Sequence, residues 1–184
     1  FSVNRLSLGI QSAVDSELKL IGRRHSFDEA KHTFLEARES GFDNISVDLM
    51  FGIPSQTMES LEYSLNEFVR LGAEHISIYS LQLEEGTPLY KLRDKYDIAD
   101  DDLTADMYEK VVFSMKNAGY LHYEISNFAK EGFQSRHNLC YWHNEEYYAY
   151  GLGASSYINN KRERNTRSIT EYIKGKLNKE IEKY

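Results

Sequence analysis

The sequence predicts an α/β fold made of parallel strand–helix units. Three observations point that way. Residues 5–12 (RLSLGIQS), 44–52 (NISVDLMFG) and 75–83 (HISIYSLQL) alternate apolar and polar positions, as a strand with two unlike faces does. Helical stretches with start and stop signals lie between them. The strand–helix unit recurs every roughly 30–40 residues, the span of a βα crossover.

In the first strand Leu6, Leu8 and Ile10 share one face, opposite Ser7, Gly9 and Gln11. In the second, Ile45, Val47 and Leu49 oppose Ser46 and Asp48; in the third, Ile76 and Ile78 oppose Ser77 and Tyr79. Between the first two, Ser26 and Glu29 form a capping box. Phe27, Ala30, Phe34 and Ala37 supply the apolar stripe of that helix, and Gly41 ends it. In the next helix Thr57 is the cap, Met58, Leu61, Leu65 and Phe68 the stripe, and Gly72 the stop. Helices on one face and small or polar residues on the other suit a barrel wall. The functional positions of such a wall sit at the C-terminal strand ends, here Gln11, Asp48 and residues 79–82. Asp48 interrupts an apolar run, and a buried carboxylate needs partners to offset its desolvation. The first strand is expected to form an exposed edge.

From about Tyr96 the character changes. Acidic turns open a helix striped by Leu103, Met107, Val111 and Met115, which stops at Gly119. Residues 120–128 (YLHYEISNF) alternate like one strand, with His122, Glu124 and Ser126 opposite Tyr123 and Ile125. A hairpin is expected around residues 158–166 (INNKRERNT) and a short helix over residues 170–177. His75 and His122 read as structural, whereas His25 could lie near the barrel mouth.

Bulk properties narrow the function. The 184-residue chain is 41% hydrophobic and 13% aromatic, enough to bury a core. A net charge of −7 without a basic stripe argues against nucleic acid as the main partner. Its single cysteine excludes an internal disulfide framework and fits a reducing, cytoplasmic setting. No apolar run reaches the ~20 residues of a bilayer span, and no signal-peptide pattern opens the chain.

Residues 135–153 (SRHNLCYWHNEEYYAYGLG) stand apart, with two histidines, the cysteine, the tryptophan and several tyrosines. His137, Cys140 and His143 make an H-x2-C-x2-H spacing, but structural zinc usually takes four ligands in two separated pairs. A Cys–His nucleophile pair lacks an orienting third group. Packing is the plainest account, with Trp142, Tyr147, Tyr148 and Tyr150 seating one domain on another.

LSLGIQS, LIGRRHS, GFDNISVDLMFGIPSQT, EHISIYSLQLEEGTPLY, YEISNFAK and SRHNLCYW…GLGA follow one another in a single order. Together they resemble the radical S-adenosylmethionine (radical SAM) proteins of the oxygen-independent coproporphyrinogen III oxidase family. The resemblance covers nearly the whole chain. It implies the later half of a partial (β/α)6 barrel (TIM-like) over residues 1–95, then a small α+β C-terminal domain over residues 96–184. It also implies that Gln11, Arg23 and Asp48 bind S-adenosylmethionine. The glutamine amide would meet polar groups of the ligand, arginine its carboxylate, and aspartate the ribose hydroxyls.

HNLCYW fits an H-N-x-x-Y-W motif that marks the heme chaperone branch of that family. This implies heme contact by His137, Asn138, Tyr141 and Trp142, with His137 as the iron ligand, and heme-acceptor proteins as partners. Oxidative decarboxylation of coproporphyrinogen III is the rival implied activity, and a scaffold without ligands the blandest alternative. Two departures matter. GLGASS places serine at position 155 where the family usually has histidine. The family's C-x3-C-x2-C loop, which holds a 4Fe–4S cluster through three thiolates, would precede residue 1. The chain is therefore expected to be a C-terminal portion. By itself it should neither hold its cofactors firmly nor cleave S-adenosylmethionine, and no catalytic residue is assigned. A homo-oligomer is a further expectation, and the exposed edge strand is a hazard for self-pairing.

Overall fold

The computed structural model describes residues 3–175 and the backbone of residues 180–181. Strand β1 (Leu6–Gln11) leads into α1 (Asp15–Leu20) and α2 (Phe27–Glu39). Strands β2 (Ile45–Phe51) and β3 (His75–Ser80) flank α3 (Met58–Leu71), and the three strands run parallel. Each long helix starts where expected. Ser26 and Glu29 close a full capping box, Thr57 and Ser60 close another, and Gly72 takes the left-handed C-cap of α3.

The apolar strand face is the core. Ile45, Val47, Leu49, Ile76 and Ile78 are buried against Phe34, Leu61, Leu65 and Phe68 of the helices. A short helix α4 (Pro88–Lys91) precedes α5 (Asp101–Asn117), which adds Met107, Val111 and Met115 to this core. Leu103, one turn earlier, stays 37% exposed, so the buried stripe begins at Met107.

Two findings differ from the sequence expectation. Residues 120–128 do not form one strand. They make β4 (Leu121–His122) and β5 (Asn127–Ala129), which pair antiparallel, giving a five-stranded sheet in the order β1-β2-β3-β5-β4. Polar contacts replace the ladder between them. Tyr108 donates to the Ile125 carbonyl, the Ser126 amide donates to Glu124, and the Tyr123 hydroxyl meets His75. The second difference is the division of the chain. The first compact unit runs to Gln134 and the second begins at Ser135, rather than at residues 95 and 96. The physical reason is that α5, β4 and β5 complete the sheet and core begun by β1–β3.

The second unit holds α6 (Arg136–Trp142), the antiparallel pair β6 (Ser155–Ile158) and β7 (Lys161–Arg164), α7 (Ile169–Ile173) and β8 (Glu180–Ile181). The expected hairpin is there, turned by Asn159 and Asn160 with φ of 52° and 59°, the paired left-handed residues of a type I′ turn. The helix expected over residues 170–177 is shorter, ending at Ile173, and Leu177 lies outside the described residues.

Candidate functional site

A polar row crosses the open face of the sheet. Gly9 pairs with Asp48, Asp48 with Ser77, and Ser77 with Asn127, so one register level carries a glycine, a carboxyl, a hydroxyl and an amide. The alternation of β1–β3 foretold the first three; the fourth was hidden because residues 120–128 read as a single strand. The Asn127 side-chain Oδ1 is buried without a hydrogen-bond partner. Ser77 hydrogen-bonds Asp48.

Gln11 reaches this row by an unexpected route. Simple alternation places it beside Ser7 and Gly9, but the β1 register slips between Gly9 and Gln11, setting Gln11 opposite Leu49. Its backbone is left-handed, with φ of 80°, a conformation that costs a non-glycine residue about 1–2 kcal/mol. The side chain then folds back over Gly9. A Cβ at Gly9 would stand 2.8 Å from Gln11 Nε2 and 4.0 Å from Asp48 Oδ2. Glycine is needed there because any side chain would displace the glutamine amide. Gln11 is buried, and His25 Nε2 lies 3.2 Å from the Ile10 carbonyl just before it.

Burial pushes the Asp48 carboxyl above the ordinary aspartate range, and neither the Ser77 hydrogen bond nor the Arg23 guanidinium fully offsets it. Arg23 itself is exposed, just past α1, with its charge acting on Asp48. The structure thus brings Gln11, Arg23 and Asp48 to one place. A glycine cradle, an amide, a carboxyl and a nearby guanidinium suit a ligand with hydroxyl, amine and carboxylate groups, and S-adenosylmethionine fits that donor and acceptor set.

The other candidate residues lie on α6, in the second unit. Ser135 caps the helix by accepting from the Asn138 amide. His137 and Tyr141 are one turn apart, with Nε2 2.9 Å from the tyrosine hydroxyl and the rings edge-to-face at 4.9 Å. Tyr141 also meets Tyr147 edge-to-face at 4.6 Å. Packing does not account for the aromatic window as a whole. None of the α6 side chains is buried; Trp142 is 52% exposed, Tyr148 71% and Tyr150 84%. Tyr141 thus meets the His137 imidazole at the surface of α6, and Trp142, Tyr148 and Tyr150 of the same segment leave their rings open to solvent, apolar faces that suit a flat aromatic macrocycle.

Metal and thiol readings of this window fail on chemistry. Among the described residues no group of three or more His, Cys, Asp or Glu could hold a metal ion. Glu145 beside Cys140 pushes its thiol above the ordinary cysteine range, the reverse of an activated nucleophile. With Cys140 as the single cysteine, these residues do not fit a three-thiolate iron–sulfur cluster.

The chain has relatives among known proteins. The sequence profile of the Radical SAM superfamily matches residues 1–68. The chain is 47% identical to the heme chaperone HemW of Bacillus subtilis, over 93% of this chain and 46% of that protein. It is 38% identical to HemW of Lactococcus lactis, over 98% of this chain and 49% of that one. A mouse mitochondrial protein, radical S-adenosyl methionine domain-containing protein 1, is 42% identical over 83% of this chain and 35% of its own length. Among solved structures, coproporphyrinogen III oxidase (HemN) of Escherichia coli, described as a radical SAM enzyme, superposes with a TM-score of 0.78. That match covers 97% of this chain and 45% of the other at 18% identity, a likeness of fold.

Residues 1–68 belong to the radical SAM superfamily. Within it, the sequence fits the branch of the HemW-like heme chaperones. It spans about half the length of the curated relatives it matches, 46% and 49% for the two bacterial proteins.

Proposed function

We propose that this chain is part of a heme chaperone, which binds heme on the exposed face of α6 and passes it to acceptor proteins. His137 supplies the iron ligand, and Asn138, Tyr141 and Trp142 contact the macrocycle. Gln11, Arg23 and Asp48 hold S-adenosylmethionine on the polar row of the first unit. The observation that carries the heme reading is the exposed His137–Tyr141 pair on α6, with Trp142 also exposed on that helix. In the tautomer with its proton on Nδ1, His137 Nε2 accepts from Tyr141, so the lone pair that would bind iron is held ready by a replaceable hydroxyl. Conversion of coproporphyrinogen III is the second reading, and it has the likeness of fold behind it.

In the branch relatives the name states heme handling. S-Adenosylmethionine bound here would supply an adenosyl group and a sulfonium for chemistry that needs a cluster from elsewhere in the protein. No helix among the described residues is long and apolar enough to cross a membrane; the single cysteine supports a reducing, cytoplasmic setting.

The test is a hemin titration read in two ways. Wild-type chain should shift the Soret band and quench the emission of Trp142, the single tryptophan. His137→Ala should weaken binding by about tenfold or more, the effect of losing one strong ligand bond. A titration unchanged by His137→Ala removes the ligand assignment. Formation of protoporphyrinogen IX by the cluster-loaded full-length protein would favour the oxidase.

A further inference from the structure

The strained backbone at Gln11 needs something to hold it, because such a conformation persists only where its surroundings over-determine it. The holding group is Glu17, a residue outside the sequence-derived site. Glu17 lies on α1 and is 6% exposed. Its carboxyl group accepts from three segments at once. Ser12 Oγ donates to Oε2 at 2.5 Å, Gln56 Nε2 donates to the same oxygen at 3.0 Å, and Ser60 Oγ donates to Oε1 at 2.7 Å.

These segments meet at the C-terminal ends of the strands. Ser12 follows Gln11 directly. Gln56 lies in the loop after β2, where its side-chain Oε1 accepts from the Gly52 amide at 2.8 Å, and Ser60 is in the first turn of α3. A second hydroxyl closes the arrangement, since Ser64 of α3 accepts from the Ala13 amide at 3.1 Å and lies 3.4 Å from Ser12 Oγ. Gln11 is thus held on both sides, by His25 at the Ile10 carbonyl and by Glu17 and Ser64 at residues 12 and 13. With every donor aimed at it, Glu17 acts purely as an acceptor, as a carboxylate does.

We propose that Glu17 is a positioning residue for the S-adenosylmethionine site: it ties the ends of β1 and β2 to α3 and so keeps the Gln11 amide over Gly9, beside Asp48. This rests on the reading of Gln11 and Asp48 as ligand residues. Without Glu17, Ser12 and Gln56 lose their common acceptor, the backbone at Gln11 relaxes from its left-handed conformation, and the amide leaves the polar row. A glutamine at position 17 keeps an acceptor oxygen for Ser12 and Gln56 and lets the Ser60 hydroxyl turn round to accept, so it should restore most of the function.

The experiment compares the full chain with its Glu17→Ala and Glu17→Gln variants by hydrogen exchange and by equilibrium binding of S-adenosylhomocysteine. Asp48→Asn serves as the ligand-site control. In Glu17→Ala, exchange should rise about tenfold or more at residues 11–13 and 52–56, while the β2–β3 amides stay protected. Ligand affinity should fall by about tenfold, and Glu17→Gln should recover most of both effects. Unchanged exchange at residues 11–13 overturns the proposal, and so does an equal rise across β2 and β3, which would make Glu17 a general stabiliser. Cluster-loaded full-length protein that takes up no S-adenosylhomocysteine, or its Asp48→Asn variant binding it equally well, removes the ligand-site reading instead. The exchange measurement needs no ligand and decides the role of Glu17 in either case.

Discussion

At Asp48 the demands of folding and of ligand binding conflict. Burial raises its pKa, so the folded chain retains a proton that the unfolded chain has already released. The stability carried by that proton is present at low pH and is lost as pH rises through the raised value. Asp48→Asn keeps a partner for Ser77 and removes the buried charge. It should therefore melt at a higher temperature than wild type near neutral pH, with the gain fading towards about pH 4. Melting curves across a pH series check this, and equal curves at neutral pH would mean that ionising Asp48 costs the fold nothing. That a destabilising carboxyl stands in the middle of β2 agrees with a role in binding. Gly9 shows the same priority, since it forgoes a side chain to make room for the Gln11 amide.

Among the elements, the N-terminal ends of β2 and β3 are locked by one buried acid. Glu74 takes a bidentate pair of bonds from Arg38 at the end of α2, at 2.9 and 2.7 Å. It also accepts from the Ile45 amide at 3.1 Å and from Lys130 after β5 at 3.4 Å. Burial alone would raise its pKa, but Arg38, the Ile45 amide and Lys130 outweigh it and hold the carboxyl below its ordinary value. Glu74→Ala should cost about 2–4 kcal/mol, less than a fully buried pair because Arg38 is partly in water. Its sign with pH is opposite to that of Asp48. The contribution is whole above the ordinary carboxyl value and is lost as pH falls through the lowered one. Glu74→Gln should therefore flatten the acid side of the stability curve, as urea midpoints measured against pH would show. Helix caps contribute less: Ser26→Ala should destabilise by about 1 kcal/mol in the same assay.

Across the whole molecule, the hydrophobic core is unevenly shared. Every buried apolar side chain among the described residues lies between Ile10 and Ala129, while Ser156 and Asn165 are the buried polar residues of the second unit. A unit with so little apolar burial opens at lower free energy than the sheet. Amides of β6 and β7 should exchange faster than those of β2 and β3. Hemin should slow exchange in the second unit, because a ligand that binds only the folded form adds its binding free energy to stability. Exchange in β6 and β7 as slow as in β3 would show that this unit is stabilised by something other than its own core. The same imbalance suits a carrier surface, since rings that seat no core are free to meet a macrocycle.

Periodicity and capping in the sequence determined the parallel βα frame, the helix limits around Ser26 and Thr57, and the polar face bearing Asp48. These are local properties, fixed by alternation and by hydrogen bonds between near neighbours. The motif series also named Gln11, Arg23 and His137. Only the tertiary structure decided the bulge that turns Gln11 back over Gly9, and the antiparallel strand that adds Asn127 to the row. It alone gathered Ser12, Gln56 and Ser60 on Glu17, and left Trp142 and Tyr150 in solvent rather than in a core. Each of these depends on residues distant in sequence meeting at one place, and no local pattern in the chain carries that information.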